Sequence, residues 1–193
     1  REERDLGILV YSKLNFSSHY EAVVKKASKV AGMIRRNFSC EDDKMLTTLY
    51  KSLVRPILEY GHCSTRPYYN KDIDALENVQ RRITKFSPRL RFLPYEERLR
   101  KLEIPTLAYR FHRGDLIEMY KLCNGAYDNV PAQRIVQFNK NHFRGRQYKV
   151  STERFYKDMG RWTFGNRVVQ HLNNLPERVI CSTNLLTFKK EVD

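Results

Sequence analysis

Residues Leu46–Gly61 read LTTLYKSLVRPILEYG, and two opposed signals meet in them. Leu46, Leu49, Tyr50, Leu53, Ile57 and Leu58 recur at helical spacing, so one face of the segment is apolar and needs a core. Pro56 sits well inside that pattern. It has no amide hydrogen and its ring crowds the preceding turn, so the helix is predicted to kink or split there.

The same periodicity extends to both sides. Upstream, Ser18-x-x-Glu21 reads as a capping box opening a helix that runs to about Asn37, with Tyr20, Val23, Val24, Ala27, Val30, Ala31 and Ile34 on one face. Asp42-Asp43, placed directly before the apolar run, suits a helix N-terminus, where the dipole favours acids. Downstream, a helix is predicted over residues 71–86, with Asn70 as its N-cap and Ile73, Leu76, Val79, Ile83 and Phe86 as its stripe. Pro88 ends it, and Arg89–Phe92 forms a junction.

A second helical set follows. Leu93-Pro94-Tyr95 opens a short helix through Leu102, and Ile104-Pro105-Thr106 breaks the chain and caps a longer one from Leu107 to Cys123. Asn124-Gly125 supplies its stop. Leu116, Met119, Tyr120 and Cys123 read as core. The helical period fades between Ala126 and Arg161, where Gln147–Val150 and Arg154–Lys157 are expected to pair as short strands. Helices near Phe164–Leu172 and Asn184–Val192 close the chain, with Trp162 as a core anchor.

Charge narrows the partners. The 193 residues carry 36 Lys and Arg against 22 Asp and Glu, a net charge of +14, while hydrophobic residues make up 41%. That is enough apolar content for a packed core, and enough positive excess to favour polyanions. Lys25, Lys26, Lys29 and Arg36 fall opposite the apolar face of the first helix, where Glu21 is the one acid. Such a face reads either as a solvated surface or as a track for phosphates. Arg81, Arg82 and Lys85 gather near the end of the helix over 71–86, where the dipole favours cations in any protein. Asn139–Lys149, NKNHFRGRQYK, interleaves Phe143 and Tyr148 with cations including Arg144 and Arg146. It reads either as an RNA-contacting segment, with bases stacked on rings, or as a basic surface loop.

Catalytic patterns are missing from the sequence. The histidines (His19, His62, His112, His142, His171) and cysteines (Cys40, Cys63, Cys123, Cys181) are scattered, without CxxC or HxxxH spacing. There is no aromatic-x-Asp-Asp, glycine-rich phosphate loop or nucleophile elbow. No metal or cofactor is expected. Unpatterned cysteines suit a reducing intracellular compartment, cytoplasmic or nuclear, and no apolar span suggests a membrane protein.

The LYKSLVRPILEYG run, together with the segments around it, resembles the region after the catalytic palm in non-LTR (LINE-type) retrotransposon reverse transcriptases of the chicken-repeat and jockey kind. Asp5–Val10 with Ser12-Lys13-Leu14 is similar to that family's DLGIxVDSKL segment, and Val24–Ala27 and Arg35–Phe38 to its first thumb helix. Lys71–Asp74, Gln80–Arg82, Leu93–Leu99, Arg113–Ile117, Arg144-Gly145, Asn166–Val169 and Asn174–Pro176 follow in the family's order. Three positions depart from it. Thr65 and Leu172 stand where the pattern has Trp, and Tyr11 where it has Asp. Unfilled, each lost aromatic would cost roughly 3–5 kcal/mol of packing.

The resemblance implies a mainly α protein: a palm-edge remnant over 1–16, a helical thumb over 17–88 and a helical C-terminal domain over 89–193. A short β remnant opens it, and a small hairpin lies near 147–157. In that family the catalytic aspartates precede the point where this chain begins, and a first residue that is Arg agrees with a piece of something longer. The expected role is therefore non-catalytic. Leu6 and Gly7 would sit by the primer terminus. Lys25, Lys26, Lys29 and Arg36, with Arg81, Arg82, Lys85, Arg110, Arg113, Arg144, Arg146, Arg161 and Arg167, would hold RNA, DNA or their hybrid beside the upstream palm and fingers. The rival expectation is a degenerate or host-adopted fragment that scaffolds protein partners.

Overall fold

The computed structural model describes residues 2–11, 16–127, 137–138, 150–151, 154, 156 and 158–193 and is mainly helical. It divides into two compact units, Arg1–Arg110 and Phe111–Asp193.

The first unit opens on an antiparallel hairpin of β1 (Glu2–Asp5) and β2 (Ile8–Tyr11). Asp5 pairs with Ile8, leaving Leu6-Gly7 as a two-residue turn. Both have positive φ, 45° and 84°, as the mirror-image turns that match strand twist require. Glycine adopts this freely and leucine does not. The hairpin lies against the Tyr60-Gly61 corner: Gly61 has φ +66°, and a Cβ there would fall 2.8 Å from Ile8 Cδ1.

Helix α1 (Ser17–Asn37) buries Tyr20, Val23, Ala27, Ala31 and Ile34, the predicted stripe. Its start differs from the predicted capping box. The N-cap is Phe16 without a side-chain cap. Ser17 instead donates to Asp72 Oδ2 at 2.7 Å, a buried bond to the next long helix. Cross-linking two helices there outweighs capping one.

The Pro56 break takes a specific form. Helix α2 (Asp43–Leu49) is capped by Asp42, whose carboxylate accepts from the amides of Lys44 and Met45, as the Asp-Asp reading predicts. A π-helical turn, Tyr50–Val54, follows, and then α3 (Arg55–Glu59) with Pro56 in its first turn. The Arg55 amide bonds to the Tyr50 carbonyl, five residues back. Widening the helix just before Pro56 relieves the crowding its ring would cause and places the missing donor where none is needed. Leu46, Tyr50, Val54 and Leu58 are all buried, so the apolar face survives the break.

Gly61 opens the short α4 (His62–Thr65). Thr65, where the family pattern has Trp, is buried with its polar atoms satisfied: its carbonyl accepts from Tyr20 Oη, and its Oγ1 donates to the Gly61 carbonyl at 3.1 Å. Helix α5 (Asn70–Ile83) packs along α1. Its N-cap is Tyr69 rather than Asn70. The Ser17–Asp72 bond joins the starts of α1 and α5, and Arg35 lies over the Phe86 ring near their ends, so the two run side by side in the same sense.

Residues 89–110 group with the helices before them, because α5 holds them through buried polar contacts. From α6 (Tyr95–Leu102), Arg98 Nη1 donates to the Arg81 carbonyl at 2.8 Å and to Thr84 Oγ1 at 2.7 Å. Tyr95 donates to Glu77 Oε1, and Gln80 Nε2 to the Pro105 carbonyl at 3.1 Å. Glu77 Oε2 also accepts the Leu107 amide at 2.9 Å, fixing the start of α7 (Leu107–Cys123). Thr106 caps α7 through the Tyr109 amide, as expected.

In the second unit, Leu116, Met119 and Tyr120 join a core with Val168, Val169 and Leu172 of α8–α9, where α8 is Asp158–Arg161 and α9 is Phe164–Asn174. Val179 of α10 (Glu177–Ile180) and Phe188 of α11 (Leu185–Val192) complete it, with Phe188 stacked on Tyr120 at 4.2 Å. Leu172, the other position where the pattern has Trp, is a buried member of that core. Trp162 is 41% exposed, not the anchor expected. Phe188, absent from the predicted core, takes that place. Short strands β3 (Gln137–Phe138) and β4 (Val150–Ser151) pair antiparallel, so the described partner of Val150 is Phe138. Most of the predicted Gln147–Val150 and Arg154–Lys157 pairing lies outside the described residues. No helix among the described residues is long and apolar enough to cross a membrane.

Candidate nucleic-acid interface

The outer face of α1 follows from its amphipathic pattern. Because Tyr20, Val23, Ala27, Ala31 and Ile34 turn inward, Lys25, Lys26, Lys29 and Arg36 turn outward and are all exposed. None of the four forms an ion pair among the described residues. Arg35, not singled out from the sequence, extends the row and lies over Phe86 at 5.9 Å. The parallel packing of α1 and α5 places the C-terminal ends of both helices together, so exposed Arg81, Arg82 and Lys85 of the α5 end join Arg35 and Arg36. Arg81 also covers the Tyr95 ring at 4.9 Å. One long helical face and one bundle end thus carry cations that the fold does not neutralise.

The hairpin turn meets this face at a cleft of about 470 Å³, lined by Arg4 and Gly7 from the hairpin, His19 and Lys26 from α1, and Ile57 and Tyr60 from α3 and its end. Leu6 projects beside it, 81% exposed. Tyr60 Oη donates to the Leu6 carbonyl at 2.7 Å. Gly7 and Lys26, separate motifs in the sequence, therefore share one concave surface. Arg4, His19 and Tyr60 were not legible as its members, because only the return of the hairpin onto α3 brings them together. The EYG corner, with its glycine, is the signal for that return.

Three other predicted contacts are committed within the fold. Arg110 forks onto Glu59, its Nη2 at 2.9 Å from Oε2. Arg113 forks onto Asp193, Nη2 to Oδ2 at 2.8 Å. Arg167 forks onto Asp115 with both bonds at 3.0 Å, and the two side chains are 9% and 3% exposed. These three arginines meet a phosphate only by giving up a carboxylate. Arg161 is exposed and lies over the Trp162 ring at 5.7 Å. Arg144 and Arg146 lie outside the described residues.

Burial sets the ionisation of the groups behind this surface. It raises the pKa of Tyr50, aided by Glu59 and Glu77, and that of Tyr95, aided by its hydrogen bond to Glu77. Both phenols therefore stay neutral donors. Burial lowers the pKa of His19.

Compared with known proteins, the chain matches no family model, no curated protein and no solved structure.

Proposed function

We propose that this chain holds nucleic acid without catalysing its chemistry, as the thumb and C-terminal portion of a non-LTR retrotransposon RNA-directed DNA polymerase. The carrying observation is the uncompensated row Lys25, Lys26, Lys29 and Arg36 on one face of α1, continuous with the cleft under the Leu6-Gly7 turn. Cations spaced along a helix neutralise successive phosphates and release their counterions, which gives affinity without sequence preference. The hairpin turn, exposed at one end of that row, is placed to meet a strand terminus. The ordered motifs from Asp5 to Pro176 support the family assignment, and the polymerase aspartates would come from an upstream palm.

The test is fluorescence-anisotropy binding of the purified chain to an RNA–DNA hybrid, duplex DNA and single-stranded RNA across a salt series. The expected result is a steep log–log salt slope with preference for the hybrid or RNA. Weak, indiscriminate binding that vanishes at physiological salt would overturn the reading and leave a basic scaffold.

A further inference from the structure

The cleft under the hairpin turn carries more than a track for a strand backbone needs. Its volume of about 470 Å³ lies within the ~300–1,000 Å³ usual for small-molecule sites. Val23, Pro56 and Ile57 give it an apolar wall, Arg4 and Lys26 supply two cations, and no carboxylate lines it. His19, 3% exposed, lines it as well. Its Nδ1 accepts the Leu9 amide at 3.4 Å, which places the ring hydrogen on Nε2. That Nε2 is buried without a hydrogen-bond partner among the described residues. Buried donors are ordinarily satisfied, so an orphaned one in the wall of a basic, half-apolar cleft marks a place where a ligand acceptor is missing.

We propose that this cleft binds a phosphate monoester carried on a flat, partly apolar ring, the chemistry of a nucleoside monophosphate. Arg4 and Lys26 hold the phosphate, the ring lies against Val23, Pro56 and Ile57, and a ligand oxygen accepts from His19 Nε2. The site goes beyond the reading above, because a row of backbone contacts requires neither the apolar wall nor the histidine. A free nucleotide and the phosphorylated end of a strand present the same chemistry.

The experiment titrates the full chain with adenosine 5′-monophosphate, adenosine, inorganic phosphate, and a short oligodeoxythymidine with and without a 5′-phosphate. Calorimetry gives affinity, and proton–nitrogen correlation of the imidazole reports on His19. The monophosphate should bind one to one and shift the His19 Nε2–H resonance, and it should bind at least tenfold more tightly than adenosine or phosphate alone. Arg4→Ala/Lys26→Ala should weaken it at least tenfold, whereas Arg89→Ala/Arg91→Ala, which removes the same charge elsewhere, should not. Both pairs are exposed, so the test does not depend on a core variant folding. Tighter binding of the phosphorylated oligonucleotide than of the mononucleotide assigns the site to a strand end, and the reverse order to a free nucleotide. An unmoved His19 resonance, or equal weakening by the two double variants, overturns the site. Hybrid binding measured on the same samples separates the two ideas: hybrid binding without mononucleotide binding overturns the cleft site alone. Mononucleotide binding without hybrid binding supports the cleft site and overturns the backbone track.

Discussion

Tyr60 Oη donates a 2.7 Å hydrogen bond to the carbonyl of Leu6, and this bond pins the one leucine of the hairpin turn in a left-handed conformation. The turn needs positive φ at both of its central residues, and only Gly7 takes it without strain. Tyr60→Phe should therefore loosen the hairpin while leaving the helices intact, at a cost of about 0.5–1.5 kcal/mol. Hydrogen exchange would show it: amides of Ile8, Leu9 and Val10 should exchange faster, with Leu76 and Val79 in α5 unchanged. Leu6→Gly should act oppositely and stabilise the turn by up to about 1 kcal/mol. Unchanged hairpin exchange in both variants would show that the bond does not hold the turn.

The Arg167–Asp115 fork ties α9 to α7 within the second unit, with both partners nearly buried. Removing one partner leaves the other as an uncompensated buried charge, so Asp115→Asn or Arg167→Ala should each cost roughly 3–5 kcal/mol. Asp115→Leu/Arg167→Met should recover most of that loss, since two apolar side chains leave no stranded charge. Denaturant unfolding of the four proteins gives the coupling directly. Additive losses in the double variant would mean that the pair is not a unit.

The helices were legible where apolar spacing alone decides them. The bounds of α7 and the buried stripe of α1 follow from periodicity, and the Asp42 cap from its place before the run. Local rules failed where a distant residue competes for the same side chain. Ser17 bonds to Asp72 from across the sequence, and no reading of the Ser18–Glu21 box contains that partner. Pro56 announced a break, but its form as a π-helical turn depends on both flanking segments keeping their apolar faces on one core.

The same limit divides the basic residues. Charge and helical position identified Lys25, Lys26, Lys29 and Arg36, whose exposure follows from the α1 stripe. Composition could not separate them from Arg110, Arg113 and Arg167, because each of those pairs with an acid remote in sequence. Arg4 and His19 are ordinary residues until the hairpin folds back and the cleft forms around them.

Reversing Lys25, Lys26 and Lys29 to Glu should weaken hybrid binding and flatten its salt dependence, by about one unit of slope for each phosphate no longer neutralised. The fold should tolerate it, because exposed substitutions of this kind change stability by only about ±0.5 kcal/mol. Arg113→Gln, by contrast, should leave the salt slope alone and lower stability slightly, since its charge is already matched by Asp193. Salt titrations paired with thermal melts distinguish the two classes of cation. An unchanged slope in the triple variant would remove the α1 face from the interface.

His19 gives the first unit a pH dependence whose sign is fixed by burial. Desolvation disfavours the imidazolium and holds the folded pKa below the usual 6.5. Protonating Nδ1 would also forfeit the Leu9 amide that it accepts, and the charged groups lining the same cleft, Arg4 and Lys26, are both cations. Between the lowered value and the unfolded value near 6.5, the unfolded chain binds a proton that the folded chain does not. Stability is therefore full above that window and falls as pH drops through it, by at most about 1.4 kcal/mol per pH unit for one proton. Glutamine can still accept the Leu9 amide and does not titrate, so His19→Gln should flatten this part of the profile. Urea unfolding of both proteins from pH 7.5 to 5.0 isolates the contribution, because the remaining groups titrate alike in each. Parallel profiles would show that His19 is protonated as readily in the fold as outside it.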